Sequence, residues 1–387
     1  MSDRLRSHDS SSETEHRASS TTSDPIRRSV EVEYWVVDEQ GRLTDPDGLV
    51  EGVPGVEREF VVPLVEVKTT PCVSTDDLRE ELSERLGRVL RRAETQGKRL
   101  VPLATPVYDG HVEDLPSERT RIQDRIVDDS FEYVRHCAGT HVHVEQQPGR
   151  AVDQLNALTA VDPALALVNS SPYFGYEWLA TGARSKLYRW LAYETLPHQG
   201  RLWPYVEDRA EWARRLENRY QEFVTEAVIA GCDRDAVESN FQPESAVWTP
   251  VKFRAEFSTV EWRSPDTALP SQVIRLADDV VGFVEHALEA DVEIGDGPCR
   301  VSDDRVVLPP FDTVRDRVET AIHEGLSAPG VRDYLEDLGF DTSAYDPVSR
   351  EIGDRGSLSV SAARELRLEY AQRLEQDLHR TQSIRPG

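Results

Sequence analysis

Lysine is nearly absent: Lys68, Lys98, Lys186 and Lys252 are the only ones in 387 residues, so arginine supplies almost all positive charge. Bases are short in total as well, with 45 Lys and Arg against 71 Asp and Glu, a formal net charge of −26. A surface this acidic gains no counterion-release energy from nucleic acid or anionic membranes, so the chain is expected to bind neither. It suits a cytosol loaded with potassium chloride, where a Debye length of about 3 Å at 1 M salt removes most self-repulsion. Nothing approaches the run of about 18 apolar residues that a membrane span requires. The N-terminus has charge and serine where a secretory signal has an apolar core, and a cytoplasmic location is expected. Cys72, Cys137, Cys232 and Cys299 lie far apart without CxxC spacing, which argues against zinc or dithiol chemistry and for reduced thiols. The absence of GxGxxG and GxxxxGK[ST] argues against Rossmann and P-loop nucleotide binding.

The first 28 residues are rich in Ser, Thr, Asp, Glu and Arg and are expected to be a disordered tail, because they cannot bury enough apolar surface to offset ordering. From Val30 the sequence V-E-V-E-Y-W-V-V alternates, with Val30, Val32, Tyr34 and Val36 on one side and Glu31, Glu33 and Trp35 on the other, the period of a strand. Further strands are expected over 60–68, 100–105, 138–145 and 253–264. Ser74 followed by Asp77 resembles a capping box, and Leu78, Leu82, Leu86 and Leu90 mark an amphipathic helix up to Gly97. Other helices are expected at 152–168, 207–230 and 271–289, and after Gly295 the chain reads as helices at 312–325, 329–338 and 361–379. Strands interspersed irregularly with helices predict an α+β fold on an antiparallel sheet. The expected organisation is a tail (1–28), a catalytic domain (29–292) and a helical C-terminal extension packed on it (293–387).

Four strand candidates each place acids or imidazoles on one face: Glu31 with Glu33, Glu66 with Lys68, His141 with His143 and Glu145, and Thr259 with Glu261 and Arg263. A solvated sheet face explains any one of them alone. Four together, in a sheet with so many helices to cover it, call for a reason to keep carboxylates and imidazoles on one side, and metal binding is such a reason. Hard oxygen ligands with one or two imidazoles suit Mg²⁺, with Mn²⁺ as the alternative, and two or more such ions can bridge the phosphates of ATP. Arg263, Arg254 and Lys252 are then candidates for stabilising anionic charge, with ordinary surface charge as the alternative for Arg254 and Lys252.

Five segments in order resemble the carboxylate–amine ligases of the glutamate–cysteine ligase type, and most nearly their haloarchaeal members. They are Val30-Glu31-Val32-Glu33-Tyr34, Val65-Glu66-Val67-Lys68-Thr69, Gly139-Thr140-His141-Val142-His143-Val144, Asn169 to Gly175 with Thr181 to Ser185 and Arg189, and Ser258 to Asp266. Ser29 stands where the family usually begins its first motif with glycine, and Val32 where it often has a third acid. The resemblance implies a glutamine-synthetase-like funnel on the sheet. It also implies that Glu31, Glu33, Glu66, His141 and Glu261 are metal ligands, that Arg263 lies near the transferring phosphate and that Arg184 or Arg189 lies near a substrate carboxylate. His143 would orient substrate or a ligand, or else be a buried histidine satisfied by backbone.

The implied reaction joins the γ-carboxylate of glutamate to the amine of cysteine through an acyl phosphate, with release of ADP and phosphate. A ligase with a different acid or amine is the alternative. A metal hydrolase using His141 and His143 is less attractive without an HExxH helix. A homo-oligomer is compatible with the sequence, which does not specify one.

Overall fold

A computed structural model describes residues 25–107 and 112–383. The expected N-terminal tail lies outside these residues except for its last four positions, and there the chain is already ordered. Ile26 is buried, and Arg28, also buried, opens the first strand.

The main sheet is antiparallel throughout. Its seven strands are β1 (Arg28–Asp38), β2 (Val56–Arg58), β3 (Leu64–Lys68), β4 (Lys98–Val101), β5 (Thr140–Glu145), β6 (Val251–Arg254) and β7 (Thr259–Trp262). Their order is β2-β3-β1-β5-β7-β6, with β4 pairing the far end of β1. Alternation along β1 sends Val30, Val32, Tyr34 and Val36 into the larger core, where Val142 and Val144 of β5 and Val260 and Trp262 of β7 join them. The opposite face changes character along its length. Glu31 and Glu33 occupy one end, whereas Trp35 and Val37 enter a second core with Leu64, Val101 and Leu103.

Helices cover the apolar face. In α1 (Thr75–Thr95) the Ser74 side chain accepts from the Asp77 backbone N–H at 3.1 Å, and Leu78, Leu82, Leu86 and Val89 are buried. Each such leucine contributes about 1.5–3 kcal/mol over an exposed one, so Leu82→Asp would detach the helix from the sheet. The same core takes in α2 (Glu118–Val127), α3 (Ala151–Val161), α4 (Arg209–Ile229) and α5 (Pro270–Glu289). The C-terminal helix α8 (Val360–Ser383) spans both cores: Leu374 and Leu378 join the larger, and Leu366, Tyr370 and Ala371 the smaller.

The α+β class and antiparallel sheet expected from the sequence are those of the structure, with local differences. The strand expected over 60–68 begins only at Leu64, because Pro63 has no N–H for the ladder and the segment before it turns. The strand expected over 100–105 is Lys98–Val101. The helix expected over 152–168 is α-helical to Val161 and 3₁₀ from Asp162 to Val168, where Pro163 lacks the donor an α-helix uses. The segment 253–264 is a hairpin, β6 and β7, turning through Ala255–Ser258 with Ser258 in the left-handed region at φ 53°. Alternation looks the same in one strand or two. After residue 290 the chain first makes a small sheet, β8 (Asp291–Ile294), β9 (Arg300–Ser302) and β10 (Arg305–Leu308), before the helices α6 (Phe311–Glu324) and α7 (Pro329–Asp337). No helix among the described residues is long and apolar enough to cross a membrane.

Candidate active site

Pairing register builds the site. Glu31 of β1 lies opposite Lys68 of β3 and His141 of β5, and Glu33 opposite Glu66. His143 lies opposite Glu261 of β7, and Glu261 opposite Lys252 of β6. Directly opposed residues on antiparallel strands share a face, so five strands deliver acids, imidazoles and two lysines to one patch.

The side chains converge there. His141 donates its Nδ1–H to Glu31 Oε2 at 3.0 Å and lies 3.4 Å from Glu261 Oε1, while His143 Nε2 lies 3.6 Å from Glu31 Oε2. Ligand atoms of Glu31, Glu66 and His141 fall within 4.8 Å of one another, as do those of Glu31, His143 and Glu261, and those of Glu33, Glu59 and Glu66. The structure therefore brings together all five of Glu31, Glu33, Glu66, His141 and Glu261, with His143 beside them. Glu59 is an acid that the sequence reading left out. Its signal was present in Val56-Glu57-Arg58-Glu59, which repeats the E-x-E spacing of Glu31 and Glu33.

Charge is unevenly balanced across the patch. Burial opposes ionisation of Glu31, but the hydrogen bond from His141 and the nearby His143 imidazole reverse this and hold its carboxyl well below the usual range. Burial of Glu261 is likewise outweighed, here by the charges of Arg263 and Lys252, and its carboxyl stays ionised. On the other side, burial and the Glu33 charge push Glu59 up to about 8, and burial with the Glu59 and Glu31 charges raises Glu66. Lys68, 2.7 Å from Glu66 Oε2, only partly offsets them. Both imidazoles keep a buried Nε2 without a hydrogen-bond partner. Uncompensated carboxylates and free ring nitrogens form the donor set that a hard divalent cation accepts, so the residues fit Mg²⁺ or Mn²⁺.

A basic wall stands beside the acids. Arg254 Nη1 donates to Glu261 Oε2 at 3.1 Å, Arg263 Nη1 lies 3.6 Å from Oε1, and Lys252 Nζ lies 3.9 Å from Oε2. Lys252 is buried, not a surface charge, and burial lowers its ammonium to about 7. The three line a cavity of about 670 Å³ with Phe60, Arg119 and Trp248. A second, smaller cavity of about 50 Å³ meets it at Phe60, Trp248 and Arg263 and is also lined by Glu33, His141, Arg184, Tyr188 and Cys137. The Cys137 thiol, pushed up to about 12 by burial, stays protonated and is a poor nucleophile.

Of the two arginines left open by the sequence, Arg184 lines the smaller cavity, donating to the carbonyls of Ser264 and Arg263 at 3.0 and 3.2 Å. A Cβ on Gly139 would run into the Arg184 guanidinium, so glycine here leaves room for that side chain in its present place. Arg189 is engaged elsewhere, with Asp162 and Ser264.

Over 92% of its length this chain shares the fold of a bifunctional glutathione synthetase from Pasteurella multocida, with a TM-score of 0.50, 13% identity and 53% of that chain covered. A glutamate–cysteine ligase from Francisella tularensis in complex with AMP aligns over 94% of this chain and 96% of its own at 12% identity, with a TM-score of 0.46. The model of glutamate-cysteine ligase family 2 matches residues 28–338, across the boundary expected near 292, and the chain belongs to that family. Curated relatives from Rubrobacter xylanophilus (27% identical over 260 residues, 63% of this chain) and Chloroflexus aggregans (24% over 255 residues, 62% of this chain) carry glutamate–cysteine ligase names as provisional assignments. The matched region spans 64% and 58% of those relatives' lengths.

Proposed function

We propose that this chain is an ATP-dependent ligase that joins the γ-carboxylate of glutamate to the amine of cysteine. The observation carrying the reading is the junction of an acid and imidazole cluster with a basic wall at Glu261, a carboxylate that would serve both a bound cation and a phosphate. Glu31, Glu33, Glu59, Glu66, Glu261 and His141 would hold Mg²⁺, which neutralises phosphate charge when bound. Lys252, Arg254 and Arg263 would hold the triphosphate in the larger cavity.

The chemistry answers a simple obstacle, that a carboxylate is a poor electrophile at neutral pH. A glutamate γ-carboxylate oxygen attacks the γ-phosphorus, the bond to the β-phosphate oxygen breaks and ADP leaves. The cysteine amine then attacks the acyl carbon, phosphate departs with the former carboxylate oxygen, and the amine's proton passes to solvent or phosphate. Arg263, between the two cavities, is placed to stabilise the transferring phosphoryl group. Arg184 in the smaller cavity is the candidate for a substrate carboxylate. His143 is placed to orient substrate from beside Glu31.

The test is incubation in molar KCl with ATP, Mg²⁺, glutamate and cysteine, following ADP release and γ-glutamylcysteine by mass. Release requiring both amino acids supports the reading. Turnover with glutamate and another amine keeps the ligase class and changes the acceptor, while ATP turnover indifferent to both amino acids rejects it.

A further inference from the structure

Phe257 sits at the turn between β6 and β7, the hairpin that carries Arg254 and Glu261, and 48% of its surface is exposed. Its turn neighbours Ala255, Glu256 and Ser258 include no large apolar side chain and the ring belongs to neither core, so burial in the core does not account for a large aromatic there. The position is nevertheless defined. Ser258 adopts the left-handed conformation at φ 53°, which a non-glycine residue takes up rarely and which fixes the course of the turn.

Two contacts tie the ring to the acid patch. It stands perpendicular to His143, with centroids 5.8 Å apart, and the Arg254 guanidinium lies over it at 4.9 Å. The same guanidinium donates to Glu261, and Arg254 lines the larger cavity, so aromatic surface and cation-and-phosphate site are joined by one side chain. His143 adds a buried Nε2 without a hydrogen-bond partner between the ring and Glu31.

We propose that Phe257 is the stacking platform for the base of the nucleotide, a purine whose phosphates run over Arg254 toward Glu261. The assignment rests on the nucleotide-dependent reading above and adds to it the element that would hold the base. A flat π-system stacked on a half-exposed ring that also carries a guanidinium over it is a recurrent way to bind bases, because every base has a face to stack.

Titration calorimetry of the full chain with MgADP and, separately, with magnesium tripolyphosphate, which has no base, tests it. Phe257→Ala should weaken MgADP about ten-fold, within the range of a lost base stack, and leave tripolyphosphate unchanged. Phe257→Trp should bind MgADP within about two-fold of the parent, because the larger ring offers the same kind of face. Undiminished MgADP binding by Phe257→Ala, or equal weakening of both ligands, overturns the stacking assignment alone. A parent protein that binds neither ligand overturns the nucleotide-dependent reading and this assignment together.

Discussion

Arg189 donates to both oxygens of Asp162, at 2.8 and 3.3 Å, and both side chains are buried. Asp162 also accepts from the Trp262 indole at 2.9 Å and from the Ser264 hydroxyl. Trp262 and Ser264 flank Arg263 and follow Glu261, so this carboxylate holds from beneath the strand end that presents both to the site. A fully buried pair contributes little net stability when intact, but removing one partner strands a charge at a cost of about 3–5 kcal/mol. Arg189→Met should lower unfolding stability by that amount in guanidinium titrations, and adding Asp162→Asn should recover part of the loss. If Arg189→Met unfolded at the parent's midpoint, the pair would not be the anchor described here.

Loss of single acids separates site from scaffold. Glu261→Gln, Glu33→Gln and Glu59→Gln should each lower ATP turnover at least a hundred-fold with an unchanged circular dichroism spectrum, since even residues that merely support metal ligands cost 10–100-fold. Glu59 is the informative position, because its inclusion comes from the three-dimensional cluster alone. Near-parent turnover in Glu59→Gln, with Mn²⁺ binding intact by electron paramagnetic resonance, would remove it from the proposed metal site.

Asp266 should leave a signature in the pH dependence of stability. Its carboxylate accepts from the Ser170 backbone N–H at 2.9 Å, while Oδ1 is buried without a partner. Burial raises its carboxyl from 3.8 to about 7, although the Arg184 charge opposes this. Between those values the folded chain keeps a proton that the unfolded chain releases, so stability falls as pH rises from about 4 to about 7 and is level above. The contribution reaches on the order of 1.4 kcal/mol per pH unit. Asp266→Asn removes it, and denaturant titrations from pH 5 to 8 should show the variant gaining on the parent up to about pH 7. A stability difference independent of pH would reject the raised value.

The net charge of −26 sets the response to salt. With acids in such excess, repulsion outweighs the exposed ion pairs, and shortening the Debye length from about 10 Å at 0.1 M to about 3 Å at 1 M should relieve it. The melting temperature should rise from 0.1 to 2 M KCl, most steeply at the low end. A flat or falling curve would mean that the ion pairs outweigh the repulsion.

Much of this architecture was legible because it is local. Period-two alternation in 30–37 and 140–145 gave both the strands and the face carrying Glu31, Glu33, His141 and His143, since a strand's side chains have no other choice. The spacing of Leu78, Leu82 and Leu86 with Ser74 ahead of them likewise specified α1. The hairpin in 253–264 and the sheet in 291–308 were hidden, because a tight turn inside an alternating run and strands of three or four residues leave the periodic pattern almost unchanged.

By itself, then, the sequence determined which residues share a strand face and that this face is acidic, because those properties depend on neighbours two positions away. Tertiary structure decided which acids meet: Glu59 reached the cluster from a segment just after β2, and its E-x-E spacing does not say which other acids it joins. It also decided between Arg184 and Arg189 as cavity residues, since pairing Arg189 with Asp162 depends on packing between elements 27 residues apart. Convergence in space is set by register and helix packing, and neither is written in the spacing of any one segment.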